Sequence, residues 1–325
     1  MRARAIERLG HEVSEVGFGA WQIGADWGDV AEDEALATLN AAVDAGVTFF
    51  DTADVYGDGR SERLVGKLLA EHDGLFVATK MGRRLEQTVA NYSPEHFRAW
   101  NDRSRENLGV DTLPLVQLHC PPTDLYYHPE VFEDLDAMVA EGRIAAYGVS
   151  VERVEEALKA IEYPGVASVQ IIYNIFRQRP ASLFFEEARR RGVGVIVRVP
   201  LASGLLSGKY TRETSFAPDD HRNFNRHGES FDVGETFAGV PFEAGLDAVE
   251  DLRGLVPEGV ALAAFALRWI LMHPAVSTVI PGARSPEQAR ANAAAADLPA
   301  LSDDVMAKIA QVYDERIAPH VHQRW

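Results

Sequence analysis

The chain holds a single cysteine, Cys120, among its 325 residues. That excludes an intramolecular disulfide and leaves no cysteine cluster for structural zinc. Basic residues are also short, with 32 Lys and Arg against 49 Asp and Glu, a net charge of −17. Such a balance argues against a nucleic-acid or membrane-surface binder, and any anionic ligand then has to be held by local groups. No stretch approaches the roughly 18 consecutive apolar residues of a membrane span. The opening segment, MRARAIERLGHEVSEVGFG, lacks the apolar centre of a signal peptide, so the expected location is the cytoplasm. Neither a Pro/Ser-rich linker nor an internal repeat divides the chain, and residues 1–325 read as one domain.

What is present is alternation. Short apolar runs, VTFFD, LFVATK, LPLVQLH, IAAYGVS, VASVQIIY, VGVIVRVP and AVSTVIPG, are separated by amphipathic stretches. The runs suit strands buried on both faces. Between them Val154, Ala157, Leu158 and Ile161 follow helical spacing and stop before Pro164, and a second helix is bracketed by Ser93-Pro94-Glu95 and Gly109. With EVGFGAW near residue 18 the chain has eight strands, each followed by a helix or helical insert. The expected fold class is α/β, a (β/α)8 TIM barrel of parallel strands. The first dozen residues are expected to form a hairpin cap over its bottom with Gly10 in the turn. The polar stretch 211–239 is too long for an ordinary connection and reads as a functional rim loop.

Three of the strand-like runs end in an ionisable residue, Asp51, Lys80 and His119. In a parallel barrel all three reach the carboxyl rim, and Tyr56, five residues beyond Asp51, can fold back over it. This set suits one chemistry. An ammonium at Lys80, held by Asp51, lowers the pKa of the Tyr56 phenol, and His119 donates or orients a hydrogen bond at a substrate oxygen, so a proton can be given to a carbonyl oxygen becoming an alkoxide. Taken singly, each charged residue also fits a rim salt bridge, and Tyr56 a surface-packed aromatic.

Other candidates carry less. Cys120 adjoins His119, but neighbouring strand residues point to opposite faces, which argues against a nucleophilic pair. His320 and His322 are two ligands in a terminal segment, too few for a closed metal site, so no metal is expected and the tail reads as solvated or substrate-covering. Trp21, Trp27, Tyr126 and Phe176 fall near the rim and either line an apolar substrate pocket or pack loops. In PLASGLLSGKY, Gly204 to Gly208 encloses three residues and Tyr210 follows Lys209, which rules out a Walker loop.

The run FFDTADVYG, then ATK, then QLH resembles the tetrad of the aldo-keto reductase family, with Asp51, Tyr56, Lys80 and His119 in the matching places. The likeness extends through GVS, VQIIYN, PLASGLLSGKY and IPGARSPEQARAN, and is similar to the bacterial members and, more distantly, to potassium-channel β subunits. It implies hydride transfer between a nicotinamide cofactor, usually NADPH with NADH as the alternative, and a carbonyl carbon, with Tyr56 as general acid in reduction and base in oxidation. Family members bind this cofactor without a G-x-G-x-x-G fingerprint, and the chain has none.

By the same resemblance Ser150 and Gln170 meet the nicotinamide carboxamide, and Asp51 lies near its ribose. Trp21 joins the cofactor-contacting set, and Leu201, Ser203, Gly204, Leu205 and Lys209 cover the pyrophosphate. Gly282 lets backbone approach phosphate, Arg284 faces the adenosine 2′-phosphate or stacks on adenine, and Gln288 and Asn292 contact the adenosine. Ser285 either joins them or only caps its helix. Two departures stand out. Val151 replaces a common asparagine, and Arg198 stands where many relatives stack an aromatic on the nicotinamide. Arg198 is expected either near the ring, disfavouring the cationic oxidised cofactor, or paired with a neighbouring carboxylate. The implied partner is a small carbonyl or alcohol. Rival readings are a Schiff-base aldolase on Lys80, opposed by the adjacent Asp51, and a cofactor-sensing scaffold with slow turnover.

Overall fold

The structure, a computed structural model, describes residues 1–24 and 30–325. Trp27 lies outside the described residues. Eight parallel strands form one sheet in sequence order. They are β1 (Phe18–Gly19), β2 (Phe49–Asp51), β3 (Phe76–Met81), β4 (Leu115–His119), β5 (Tyr147–Ser150), β6 (Val166–Ile172), β7 (Gly194–Arg198) and β8 (Val276–Val279). Parallel bridges from Val16 to Val279 and from Gly19 to Gly282 join the first strand to the last and close the barrel. Closure needs the glycine at both ends of the second bridge. A Cβ on Gly19 would lie 2.8 Å from the Ile280 carbonyl oxygen, and one on Gly282 would lie 2.7 Å from Gln22.

Helices α1 (Glu32–Asp44), α2 (Arg60–Glu71), α3 (Pro94–Leu108), α4 (Pro129–Ala140), α5 (Val154–Ala160), α6 (Phe184–Arg190), α7 (Leu262–Leu271) and α8 (Pro286–Ala294) follow the strands. Helix α3 has the ends its sequence announces, with the Ser93 hydroxyl accepting from the His96 amide at 3.4 Å and Gly109 left-handed at its close. A further helix, Phe242–Arg253, follows the 211–239 stretch. Among the described residues no helix is long and apolar enough to cross a membrane.

The interior runs from apolar base to charged rim because strand side chains alternate with period two. Phe49, Phe76, Ala78, Leu115 and Ile196 form one buried cluster in the lower barrel. On the same faces two residues further along stand Asp51, Lys80, Gln117 and Arg198. The base is plugged by the expected hairpin. Ala3–Ile6 pairs antiparallel with His11–Ser14, Gly10 is left-handed in the turn, and Ile6 and Val13 join the interior cluster.

Candidate active site

At the rim the four residues expected to converge do so. The Lys80 ammonium is 2.5 Å from Asp51 Oδ1, 2.9 Å from the Thr52 carbonyl oxygen and 3.2 Å from the Tyr56 hydroxyl. The other Asp51 oxygen accepts from Gln170 Nε2 at 2.7 Å and from Gln117 Nε2 at 3.2 Å. Gln117, absent from the sequence-based set, therefore completes the carboxylate's shell. Its signal was its place in QLH, two residues before His119 on the same face. Tyr56 reaches the site because its turn presses on the short helix Trp21–Gly24, where a Cβ on Gly57 would sit 2.4 Å from the Gly24 carbonyl oxygen. Trp21 stacks on the Tyr56 ring at 5.9 Å and His119 meets it edge-on at 5.9 Å.

The electrostatics refine one expectation. Desolvation pushes the Tyr56 phenol above its ordinary range, and the pull of Lys80 does not offset it. The resting group is a neutral phenol rather than a lowered-pKa one. For Lys80, burial favours loss of the charge, but Asp51 and Tyr56 outweigh it and its pKa is raised. His119 is driven well below its usual value by burial and by Arg83, Lys80 and Arg198, so the imidazole is neutral.

A cleft of ≈ 480 Å³ opens beside this cluster. Trp21, Asp51, Tyr56, His119, Ser150, Gln170 and Arg198 line one end, and Gly282, Arg284, Gln288 and Asn292 the other. Leu201, Ser203, Gly204 and Lys209 form a wall between them. That wall is strained, since Val199, Ala202 and Ser203 have φ of 51°, 48° and 52°. Such strain in non-glycine residues gathers at ligand-binding segments. Lys80 lies behind Asp51 and Tyr56. Leu205 does not line the cleft, because its side chain is buried in the core against Gly245. Tyr126 and Phe176 are likewise wholly buried, which decides for packing over pocket lining. Ser285 caps α8 by accepting from the Gln288 amide, while Gln288 Oε1 accepts from the Arg284 amide at 2.9 Å and Asn292 donates to the Gly282 carbonyl at 3.1 Å. Sequence reasoning missed Gln22, Tyr210, Arg222 and Glu235 in the lining. The last two sit in the 211–239 stretch, whose length was the available signal.

Arg198 lines the cleft and is also paired with carboxylates. Its Nη2 is 2.8 Å from Glu152 Oε2 and its Nη1 3.7 Å from Glu235 Oε2, while Arg83 donates to Glu235 Oε1 at 2.7 Å. Burial, opposed by Arg198 and reinforced by the charge of Glu235, pushes Glu152 up to about 8. Cys120 Sγ lies 3.6 Å from Arg198 Nη2, and burial pushes the thiol up to about 12, far from a nucleophile. Cys120, Glu152 and Glu235 bring ligand-type atoms within 4.8 Å of one another, but two guanidiniums already balance them, which opposes a cation there. The C-terminal tail is docked rather than solvated. Trp325 is buried, donates to Asp232 Oδ1 at 2.9 Å and covers the Arg177 guanidinium, and His322 pairs with the Tyr313 hydroxyl at 2.9 Å.

Asp54, in the same run as Asp51, stays outside the cluster. It is fully buried, neither oxygen has a hydrogen-bond partner among the described residues, and burial followed by the charge of Glu62 pushes it up to about 7.

A closed parallel barrel whose carboxyl rim sets a lysine-backed tyrosine beside a deep cleft has the arrangement of an enzyme for proton transfer on a bound small molecule. Comparison with known proteins makes the class specific. The chain belongs to the aldo/keto reductase family, whose profile matches residues 15–314, and it is an oxidoreductase of that nicotinamide-dependent family. It is 31% identical over 299 residues to the aldo-keto reductase YhdN of Bacillus subtilis, covering 90% of this chain and 87% of that one. A probable voltage-gated potassium channel subunit beta of rice is 29% identical over 339 residues, covering 97% and 98%. Among solved structures, the glycerol dehydrogenase of Gluconobacter oxydans superposes with a TM-score of 0.77 at 29% identity, covering 98% and 96%.

Proposed function

We propose that the protein reduces the carbonyl of a small aldehyde or ketone to an alcohol, reversibly, with NADPH as its preferred cofactor and Tyr56 as the general acid. The observation that carries this reading is the Lys80 ammonium set between Asp51 and the Tyr56 hydroxyl at the edge of the cleft. The cleft's donor set suits the cofactor, with Arg284 and Lys209 for phosphate, Ser150 and Gln170 for an amide, and no side chain on Gly282 to block close backbone approach. When bound, the nicotinamide supplies the hydride.

The protein's own part is the proton. Tyr56 rests protonated, as a donor must, and its hydroxyl proton passes to the substrate oxygen as negative charge grows there. The charge left on Tyr56 faces Lys80, which Asp51 keeps in place and charged, so that interaction is strongest at the transition state. Neutral His119 orients the oxygen by hydrogen bonding without competing as an acid. Trp21, which also meets His221 at 5.0 Å and Phe231 at 6.1 Å, forms an aromatic wall that suits an apolar aldehyde. The Gluconobacter relative is a glycerol dehydrogenase, so short polyols and hydroxyketones form the second substrate arm.

The test is fluorescence titration with NADPH and NADH, then a carbonyl panel followed at the reduced-nicotinamide absorbance. Tight NADPH binding with turnover is expected. Absence of nucleotide binding overturns the proposal. Binding without turnover on any carbonyl favours a second reading, a cofactor sensor with slow chemistry, which the likeness to the rice channel subunit supports.

A further inference from the structure

The opposite end of the barrel carries a second cavity, of ≈ 920 Å³, under the N-terminal hairpin. Its walls come from Ala3–Ile6, the end of α6 and the end of α7 with the turn that follows. Arg2, Arg4, Arg189, Arg190 and Arg268 all line it, against Glu7 and Glu186, in a chain whose net charge is −17. Barrel bases ordinarily carry stability rather than ligands. A convergence of arginines on one basal cavity in so acidic a protein therefore asks for a cause.

The hydrogen bonds show which arginines are already used. Arg4 donates to the carbonyls of Val276 at 2.6 Å and Leu271 at 2.7 Å and to Glu15 Oε2 at 2.9 Å, which places it against the carbonyl end of α7. Arg2 donates to the other oxygen of Glu15 at 3.2 Å. One fully buried carboxylate thus serves both arginines. Arg268, on the last turn of α7, is 7% exposed, and its Nε donates to the Pro299 carbonyl at 3.1 Å. Its Nη1 is buried with no hydrogen-bond partner among the described residues. A charged donor left in that state is costly. Burial, then the neighbouring Arg2 and, beyond the opposing pull of Glu15, Arg4, all disfavour its charge. The site is short of negative charge and of an acceptor at one place.

We propose that this basal cavity binds a phosphate group, with the Arg268 guanidinium as its principal donor and Arg2 and Arg189 around it. A guanidinium fork matches phosphate oxygens in pairs, and a dianion supplies the missing negative charge among the converging arginines. A single water brings no charge, and a chloride brings one charge without the paired oxygens that match the fork, while the volume leaves room for an organic remainder beside the phosphate. The shared chemistry is therefore inorganic phosphate or a small phosphate monoester.

The test is calorimetric titration of the full chain at constant ionic strength, with and without saturating NADPH to fill the rim cleft. Inorganic phosphate and glycerol 3-phosphate are the two probes. Saturable binding that persists under NADPH is expected, weakened about tenfold or more in Arg268→Met and partly restored in Arg268→Lys, with carbonyl turnover unchanged in both. Tighter binding of glycerol 3-phosphate assigns the site to a monoester, and equal binding assigns it to free phosphate. Should Arg268→Met not fold, Arg268→Lys and Arg2→Ala carry the comparison. No saturable binding by the wild type, or equal affinity in the Arg268 variants, overturns the proposal. Because the readout compares Arg268 variants, it does not depend on the rim being a reductase site.

Discussion

Two buried charge clusters share the barrel rim, and they are built differently. In the first, Lys80 and Asp51 stand on adjacent strands β3 and β2, and Gln117 and Gln170 on β4 and β6 fill the carboxylate's remaining valence. The side chains that fix the ion pair all stand on strands, the Thr52 carbonyl just past β2 adds one backbone acceptor, and only Tyr56 comes from a turn. In the second, Arg83 and Glu152 follow strands, Arg198 ends β7 and Glu235 belongs to the long segment over the cleft. Strand-borne groups give fixed geometry, which proton transfer demands. A cluster that bridges strands to a covering segment gives attachment. Ser203 extends it, its hydroxyl accepting from the Phe237 amide at 3.0 Å and lying 3.2 Å from the Glu235 carbonyl, so the cleft wall and the cover are tied at the same place.

The comparison breaks most visibly at Lys80. Lys80→Met leaves Asp51 buried and unpaired, with an expected loss of roughly 3–5 kcal/mol in urea unfolding and at least about a hundredfold in turnover. An unaltered midpoint would mean the pair is not structural. Asp54 sharpens the contrast because it lies three residues from Asp51 and its carboxylate has no hydrogen-bond partner among the described residues, Arg84 and Arg103 donating to its backbone carbonyl instead. Its folded value is about 7 against an ordinary 3.8. Between those values the folded state holds a proton that the unfolded state lacks, so its contribution falls as pH rises from about 4 to about 7. Asp54→Asn should therefore gain stability over wild type at pH 8, by no more than about 4 kcal/mol, with the gain vanishing below pH 4. A pH-independent difference would show that Asp54 does not titrate there.

In the second cluster the effect is smaller and kinetic. Glu235→Gln weakens the attachment of the cover, and stopped-flow displacement of NADPH should show release faster by about tenfold with Tyr56 chemistry intact. A release rate equal to wild type would mean the cover is held by Arg177 and Trp325 instead. Least of all, Arg284→Gln should raise the NADPH dissociation constant severalfold and leave NADH nearly unchanged. Equal changes for both would assign Arg284 to adenine stacking.

The difference between the clusters also decides what the sequence disclosed. The hairpin, the barrel and the ends of α3 were legible because period-two runs, Gly10, Ser93 and Gly109 are local signals. Asp51, Lys80 and His119 were legible for the same reason, since each ends an apolar run that must reach one rim. Glu152 and Glu235 were not, because their meeting with Arg83 and Arg198 joins four segments that no spacing relates. The choice for Arg198 between ring and carboxylate needed coordinates, and so did the docking of Trp325 on Asp232. The placing of the Leu205 side chain also needed coordinates, because the chain is left-handed at Ala202, Ser203 and Gly204, and after Ser203 and Gly204 border the cleft the side chains of Leu205 and Leu206 turn into the core.

The most direct test of the central claim is the single-turnover decay of reduced-cofactor absorbance with the best carbonyl substrate, in wild type and in Tyr56→Phe. Loss of the hydroxyl proton should slow the decay by about 10²–10⁴ while cofactor affinity stays within about threefold. A decay slowed by less than about tenfold, with the cofactor bound normally, would contradict Tyr56 as the acid and move the proton's source elsewhere on the rim.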